Sequence, residues 1–212
     1  MRRGRKLWAG LAAAVAAGAV SLGAATGLPV TAGAAGASAE APPAQTARAQ
    51  APGAFAWVRP ELPAPGWTEL RLPGSPARLP VPPGWRRAHG DRGTRTAELI
   101  GPGGAIVGYL NATPRQGRET LADWASFRVE HNRDEGDREV LLLAAARGLD
   151  FTGATGSCVL DSYRTVSGHR YREIACIVAG RSATTVLVAA AAPRRWAAER
   201  TELRRAVESF TT

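Results

Sequence analysis

Regular alternation of apolar and polar positions begins only in the second part of the chain. Residues 78–81 and 85–89 read as short extended pieces around Pro82-Pro83-Gly84, and His89-Gly-Asp-Arg-Gly93 reads as a turn. Residues 94–100 and 105–112 have strand character and flank Gly101-Pro-Gly-Gly104, which predicts a hairpin. Thr120 then opens a helix, because its hydroxyl can cap the N–H three residues on and Asp123 stands there to complete a capping box. Leu121, Trp124, Phe127 and His131 fall on one face of that helix, and Gly136 ends it. Residues 138–146 are a short apolar run bounded by charge, read as a strand. A buried strand is expected over 183–191, followed by a closing helix that begins near Pro193. Trp196, Leu203, Val207 and Phe210 form that helix's apolar stripe. The expected fold class is α+β, an antiparallel sheet covered by two main helices.

The first part of the chain follows a different pattern. Residues 1–39 read as an export signal: MRRGRK is positively charged, 7–30 carries no charge, and Ala37-Ser38-Ala39 is a small-residue cleavage site. The uncharged run is also long enough for a membrane span, so an uncleaved anchor is the alternative. Residues 40–76 are rich in Pro, Ala and Gly and are expected to form a semi-extended linker, leaving 77–212 as a single domain. One exception is residues 67–72, whose alternation would suit an edge strand laid on the domain. Trp57 and Trp67, inside the linker, either pack on the domain or await a partner.

The formal charge of +9 shrinks once the signal is set aside: four of the 27 basic residues lie in it, leaving 23 against 18 acids, or +5. The arginines are interspersed with Asp and Glu, which argues against a nucleic-acid partner. The only two cysteines, Cys158 and Cys176, bound the segment CVLDSYRTVSGHRYREIAC. If Val166-Ser167-Gly168 is a three-residue hairpin loop, with Gly168 left-handed, then counting rungs outward from Thr165 and His169 sets Cys158 opposite Cys176. The rung they share lacks mutual hydrogen bonds, so their Cα atoms stand about 4.5 Å apart, within disulfide range. Export supplies the oxidising compartment, and a structural staple is favoured over free thiols or a metal site.

The same register puts Asp161 opposite Glu173 and Tyr163 opposite Tyr171. Two carboxylates about 5 Å apart would resemble a retaining glycosidase pair. The blander expectation is two solvated acids eased by Arg164 and Arg172. Gly101 to Gly104 lacks the lysine step of a phosphate loop and leads into a strand. His89, His131 and His169 have no spaced partners for a metal, Ser157 sits in no nucleophile elbow, and Asn111-Ala-Thr113 is a chance-prone glycosylation triplet. No catalytic, cofactor-binding or metal-binding residues are assigned, and no cofactor is expected.

Leu79-Pro-Val-Pro-Pro-Gly-Trp85 resembles the amino-terminal strand of the PsbP-like sandwich, an α/β/α fold shared by photosystem extrinsic proteins, the Ran-binding Mog protein and the mycobacterial LpqN lipoproteins. The helix carrying Leu121-Ala-Asp-Trp124, the late hairpin and the closing helix ending in Val-Glu-Ser-Phe210 are similar too, as are extracellular tails of some actinobacterial kinases. The resemblance covers 77–212 and implies a secreted actinobacterial member acting as a non-enzymatic binding or assembly module. It transfers no catalytic residues, and the chain lacks the anchoring cysteine of the lipoprotein members. The expected function is an exported module of the cell envelope or extracellular space, with an unknown protein or small ligand as partner and membrane contact only if the signal stays on. The alternatives are a membrane-anchored surface or sensor domain, and a secreted hydrolase using Asp161 and Glu173.

Overall fold

The computed structural model describes residues 53–212. The expected signal, its cleavage site and the first part of the expected linker lie outside the described residues. The strands are β1 (Thr68–Arg71), β2 (Arg78–Val81), β3 (Arg86–Ala88), β4 (Arg95–Ile100), β5 (Ile106–Pro114), β6 (Arg138–Phe151), β7 (Ala154–Arg164), β8 (Arg170–Ala179) and β9 (Thr184–Ala191). Helix α1 (Trp124–Asp134) lies between β5 and β6, and α2 (Trp196–Glu208) follows β9.

β1 and β2 pair as a two-stranded ribbon, and the rest form a seven-stranded sheet in the order β3-β4-β5-β9-β8-β7-β6. Every pairing between these strands is antiparallel. From β5 near the middle of the sheet the chain passes through α1 to β6 at the edge. It then returns strand by strand until β9 lies beside β5. This is the expected α+β class, an antiparallel sheet with two helices. At its exposed edge β6 breaks register with β7 after Arg138, Leu142 and Ala146, which spoils the edge as a template for further strands.

Strand alternation sends neighbouring residues to opposite faces. On β7 and β8, Cys158, Ile174, Cys176 and Val178 face the core shared with Leu203, Val207 and Phe210 of α2. Val159, Tyr163, Tyr171, Ala175 and Ile177 face the second core, capped by Trp124 of α1. The indole N–H of Trp124 donates to the Ala175 carbonyl at 2.8 Å, fixing the helix over the sheet. Thr120 and Asp123 form the expected capping box: the Thr120 amide donates to Asp123 Oδ1 at 2.7 Å and the Asp123 amide to Thr120 Oγ1 at 3.3 Å. Residues 121–123 remain turns, however, so α1 starts at Trp124.

Cys158 faces Cys176 in the expected register and is bonded to it, with Cα atoms 4.1 Å apart. The loop is the expected one: Gly168 has φ 88° and its amide donates to the Thr165 carbonyl at 2.8 Å. Trp85 packs against Gly108 of β5, where a Cβ would come within 3.0 Å of the indole. That close approach explains a glycine inside a strand.

The expected linker boundary at 76 is too late for the described residues. Phe55, Val58 and Leu72 are buried in the α2-side core, and β1 pairs with β2. Trp57 donates from its indole to the Ala54 carbonyl, and the Glu61 amide donates to the Glu208 carbonyl at 3.0 Å, so this segment is tied to the end of α2. Proline-rich composition hid this because a few large apolar side chains suffice to dock a segment that has no periodicity of its own.

Replacing both Cys158 and Cys176 with alanine should leave the strand order intact and cost about 3 kcal/mol in the chain-entropy account. Urea unfolding of the variant and wild type at neutral pH measures this; a loss near zero would show that the turn and core alone set the register.

Candidate functional site

Two places on the domain bring chemistry-bearing side chains together. The first is the layer between α1 and the sheet. Asp161 and Glu173 face each other on β7 and β8 as the hairpin register requires, but neither is solvated: both are 0% exposed. The expectation of two exposed acids eased by Arg164 and Arg172 is therefore overturned, because the rung lies on the sheet face that α1 covers. Arg164 instead pairs with Glu139 at 3.2 Å.

The counter-charge comes from α1. Arg128 Nε donates to Glu173 Oε1 at 2.7 Å, and its Nη2 lies 2.5 Å from the same oxygen. Glu173 Oε2 accepts from the hydroxyls of Tyr163 at 3.0 Å and Tyr109 at 3.1 Å, and those two hydroxyls touch each other. With a guanidinium and two phenols all donating to it, the Glu173 side chain serves only as an acceptor. Burial, then the Glu173 charge, pushes both tyrosines well above their usual range and keeps them neutral. Burial alone would lower the Arg128 pKa, but the Glu173 carboxylate beside it holds it above its ordinary value.

Asp161 differs from its neighbour. Neither carboxyl oxygen has a hydrogen-bond partner, and burial, followed by the Glu173 charge, pushes its pKa well above 3.8. Of the two acids it is the one whose protonated form burial favours. Half-buried Asp137, just past α1, is pushed up to about 6, chiefly by burial. The arrangement has acid and base of different character, but α1 closes it from solvent, and no substrate bond can reach either carboxyl.

The helix face that builds this layer is Trp124, Arg128 and Asn132, spaced i, i+4, i+8 and all buried. The expected stripe of Leu121, Trp124, Phe127 and His131 is only partly right: Phe127 and His131 stack with ring centroids 5.8 Å apart and are half-buried. Sequence reasoning missed Arg128 and Tyr109. The available signal was the four-residue spacing of Trp124, Arg128 and Asn132, which a search for apolar stripes passes over.

The second place is a cleft of about 180 Å³ on the opposite face, between α2 and the segment around Phe55. Leu160 and Ile174 of the sheet line it with Trp57, Trp196, Arg172, Arg200 and Arg204. The Arg172 guanidinium carbon lies 5.1 Å from the centre of the Trp196 ring, and that of Arg204 lies 4.8 Å from Trp57. Trp57, unplaced by sequence, thus forms a wall of this cleft. Unlike the acid layer, the cleft is open to water.

The remaining sequence candidates have structural roles. Ser157 donates to the Leu121 carbonyl at 2.7 Å, tethering the turn before α1. Asn111 is buried and donates to Thr96 Oγ1 at 2.9 Å, so it is closed to glycosylation. Residues 101–104 form the hairpin turn, with a short 3-10 piece over Pro102–Gly104. Among the described residues, no three His, Cys, Asp or Glu side chains gather as a metal site.

No family model matches the chain, and no curated protein does. Among solved structures, a Pseudomonas aeruginosa protein of unknown function aligns with a TM-score of 0.47 at 16% identity, over 69% of this chain and 96% of that one. Cyanobacterial PsbP from Synechocystis aligns with a TM-score of 0.46 at 13% identity, over 69% of this chain and 92% of that one. The α+β assignment rests on the strand order and helices of the chain itself.

Two outcomes test the acid layer. Arg128→Met should cost about 3–5 kcal/mol, since it leaves Glu173 buried without its cation; urea denaturation measures this. Asp161→Asn addresses the pH dependence. Below pH 3.8 Asp161 is neutral folded and unfolded, and above it the unfolded chain ionises first, so its contribution to stability falls as pH rises toward the raised folded value. Asp137 acts in the same sense between 3.8 and about 6. The variant should therefore match wild type near pH 3.5 and exceed it at pH 8, with thermal unfolding across that range as the measurement.

Proposed function

We propose that the chain is an exported, non-enzymatic binding module of the cell envelope or extracellular space, with a PsbP-like sandwich as its body and the Trp57–Trp196 cleft as its binding face. The observation that carries this reading is the contrast between the two charged places. The two acids that could do chemistry are sealed under α1, with Glu173 engaged by Arg128 and two tyrosines, whereas the cleft is open and lined by ring faces and guanidinium groups. Ligand sites are concave, largely apolar and furnished with a few placed polar groups, and the cleft has that composition on a small scale.

Export is supported by the charged start, the uncharged run and the small-residue site before Glu40. The Cys158–Cys176 bond is of the kind kept in oxidising compartments. Among the described residues, no helix is long and apolar enough to cross a membrane. The hydrolase reading has no support from the sealed acids.

The test uses the indole N–H signals of 15N-labelled protein. Adding deproteinised envelope fractions should shift the signals of Trp57 and Trp196 while leaving that of Trp124, bonded to the Ala175 carbonyl under α1, in place. Shifts confined to Trp124, or turnover of a glycan in the same fractions that Asp161→Asn with Glu173→Gln abolishes, would refute the reading.

A further inference from the structure

Three cations meet at the cleft without an anion. Arg172 is carried by β8, where its neighbours across the sheet are Ser162 and Ala191. Arg200 and Arg204 stand one turn apart on α2, a spacing at which like charges repel. No acidic side chain lines the cleft. None of the three arginines makes an ion pair among the described residues, although Arg195 of the same surface pairs with Glu199 and Arg205 of α2 with Glu61. Burial, followed by the charge of Arg200, lowers the pKa of Arg204 below its ordinary value, opposed in part by Glu208 on the next turn of α2, outside the cleft lining.

Two of the three guanidinium groups are also held in place. Trp196 backs Arg172 and Trp57 backs Arg204, so the ring faces are occupied and the N–H edges of the cations are what remains to offer. The Nε of Arg172 is buried and donates to nothing. An oriented donor left unpaired in a protein interior costs free energy until an acceptor arrives. Planar guanidinium forks match phosphate and carboxylate oxygens.

We propose that the cleft binds a phosphate monoester, held by Arg172, Arg200 and Arg204, on a ligand that places only a small polar part between Trp57 and Trp196. Charge selects phosphate over carboxylate: a monoester brings close to two negative charges at neutral pH to three arginines, and a carboxylate brings one. Size selects a small group, because about 180 Å³ is below the 300–1,000 Å³ of pockets that enclose whole ligands. The inference rests on the reading of this cleft as the binding face.

The experiment titrates 15N-labelled protein with glycerol 3-phosphate, and separately with sodium acetate and sodium chloride at matched ionic strength. Glycerol 3-phosphate should shift the Trp57 and Trp196 indole signals saturably, with the Trp124 signal fixed. Arg204→Gln and Arg200→Gln should each weaken that binding about tenfold, the loss expected for one charge-assisted hydrogen bond. Arg200 is exposed, so its variant should keep the wild-type Trp124 signal and report on binding alone. Vesicles of phosphatidic acid in phosphatidylcholine displace glycerol 3-phosphate if a lipid carries the group, and fail to do so if the carrier is soluble. Equal shifts with acetate or chloride, or binding unchanged in both variants, would overturn the phosphate assignment. If envelope fractions still moved the two indoles in that case, the ligand class would fall and the binding face would stand; silence in both titrations would remove both.

Discussion

The register of the β7–β8 hairpin is the constraint on which the rest of the molecule depends. A three-residue loop ending in left-handed Gly168 sets Thr165 against His169, and every rung outward follows from it. Side chains alternate faces with a period of two, so a slip of one residue would move every core residue of a strand into the wrong layer. The register stacks Cys158 and Cys176 against α2 and sends Asp161 and Glu173 toward α1. The disulfide pins this alignment well along the strands, with only three rungs beyond it.

The two faces deal with charge in opposite ways. Under α1 one carboxylate is satisfied by Arg128, Tyr109 and Tyr163, and burial pushes the adjacent acid toward its protonated form. Burying an ion pair is costly, and the cost is offset only when hydrogen bonds complete it, as they do at Glu173. Such a layer specifies how α1 sits on the sheet. In the cleft beside α2, Arg172 and Arg204 lie over tryptophan rings with Arg200 close by, and none of the three makes an ion pair among the described residues, an arrangement suited to a mobile anion.

Much of the fold was legible because turns and periodicity are local signals. The loop glycine and the cysteine spacing were enough to place the disulfide, and Trp196, Leu203, Val207 and Phe210 were enough to orient α2. The acid layer was only half legible. The facing of Asp161 and Glu173 followed from register, but their burial depended on which sheet face α1 covers, which is a tertiary fact. Arg128 was invisible because a buried arginine looks like any surface arginine until its partner is known. The alternation over 67–72 announces β1, but residues 53–66 read only as linker because Phe55 and Val58 dock through tertiary contacts, with no period to announce them. The cleft combines that segment with β8 and α2, so no single stretch of sequence encodes it.

The most direct test of the account is the intact mass, before and after reduction and thiol labelling, of protein recovered separately from culture medium and membranes. The account predicts a medium-borne chain that begins near Glu40 and takes up label at Cys158 and Cys176 only after reduction. A full-length, membrane-held chain whose two thiols react without reductant would contradict it, removing both the export reading and the staple that locks the hairpin register.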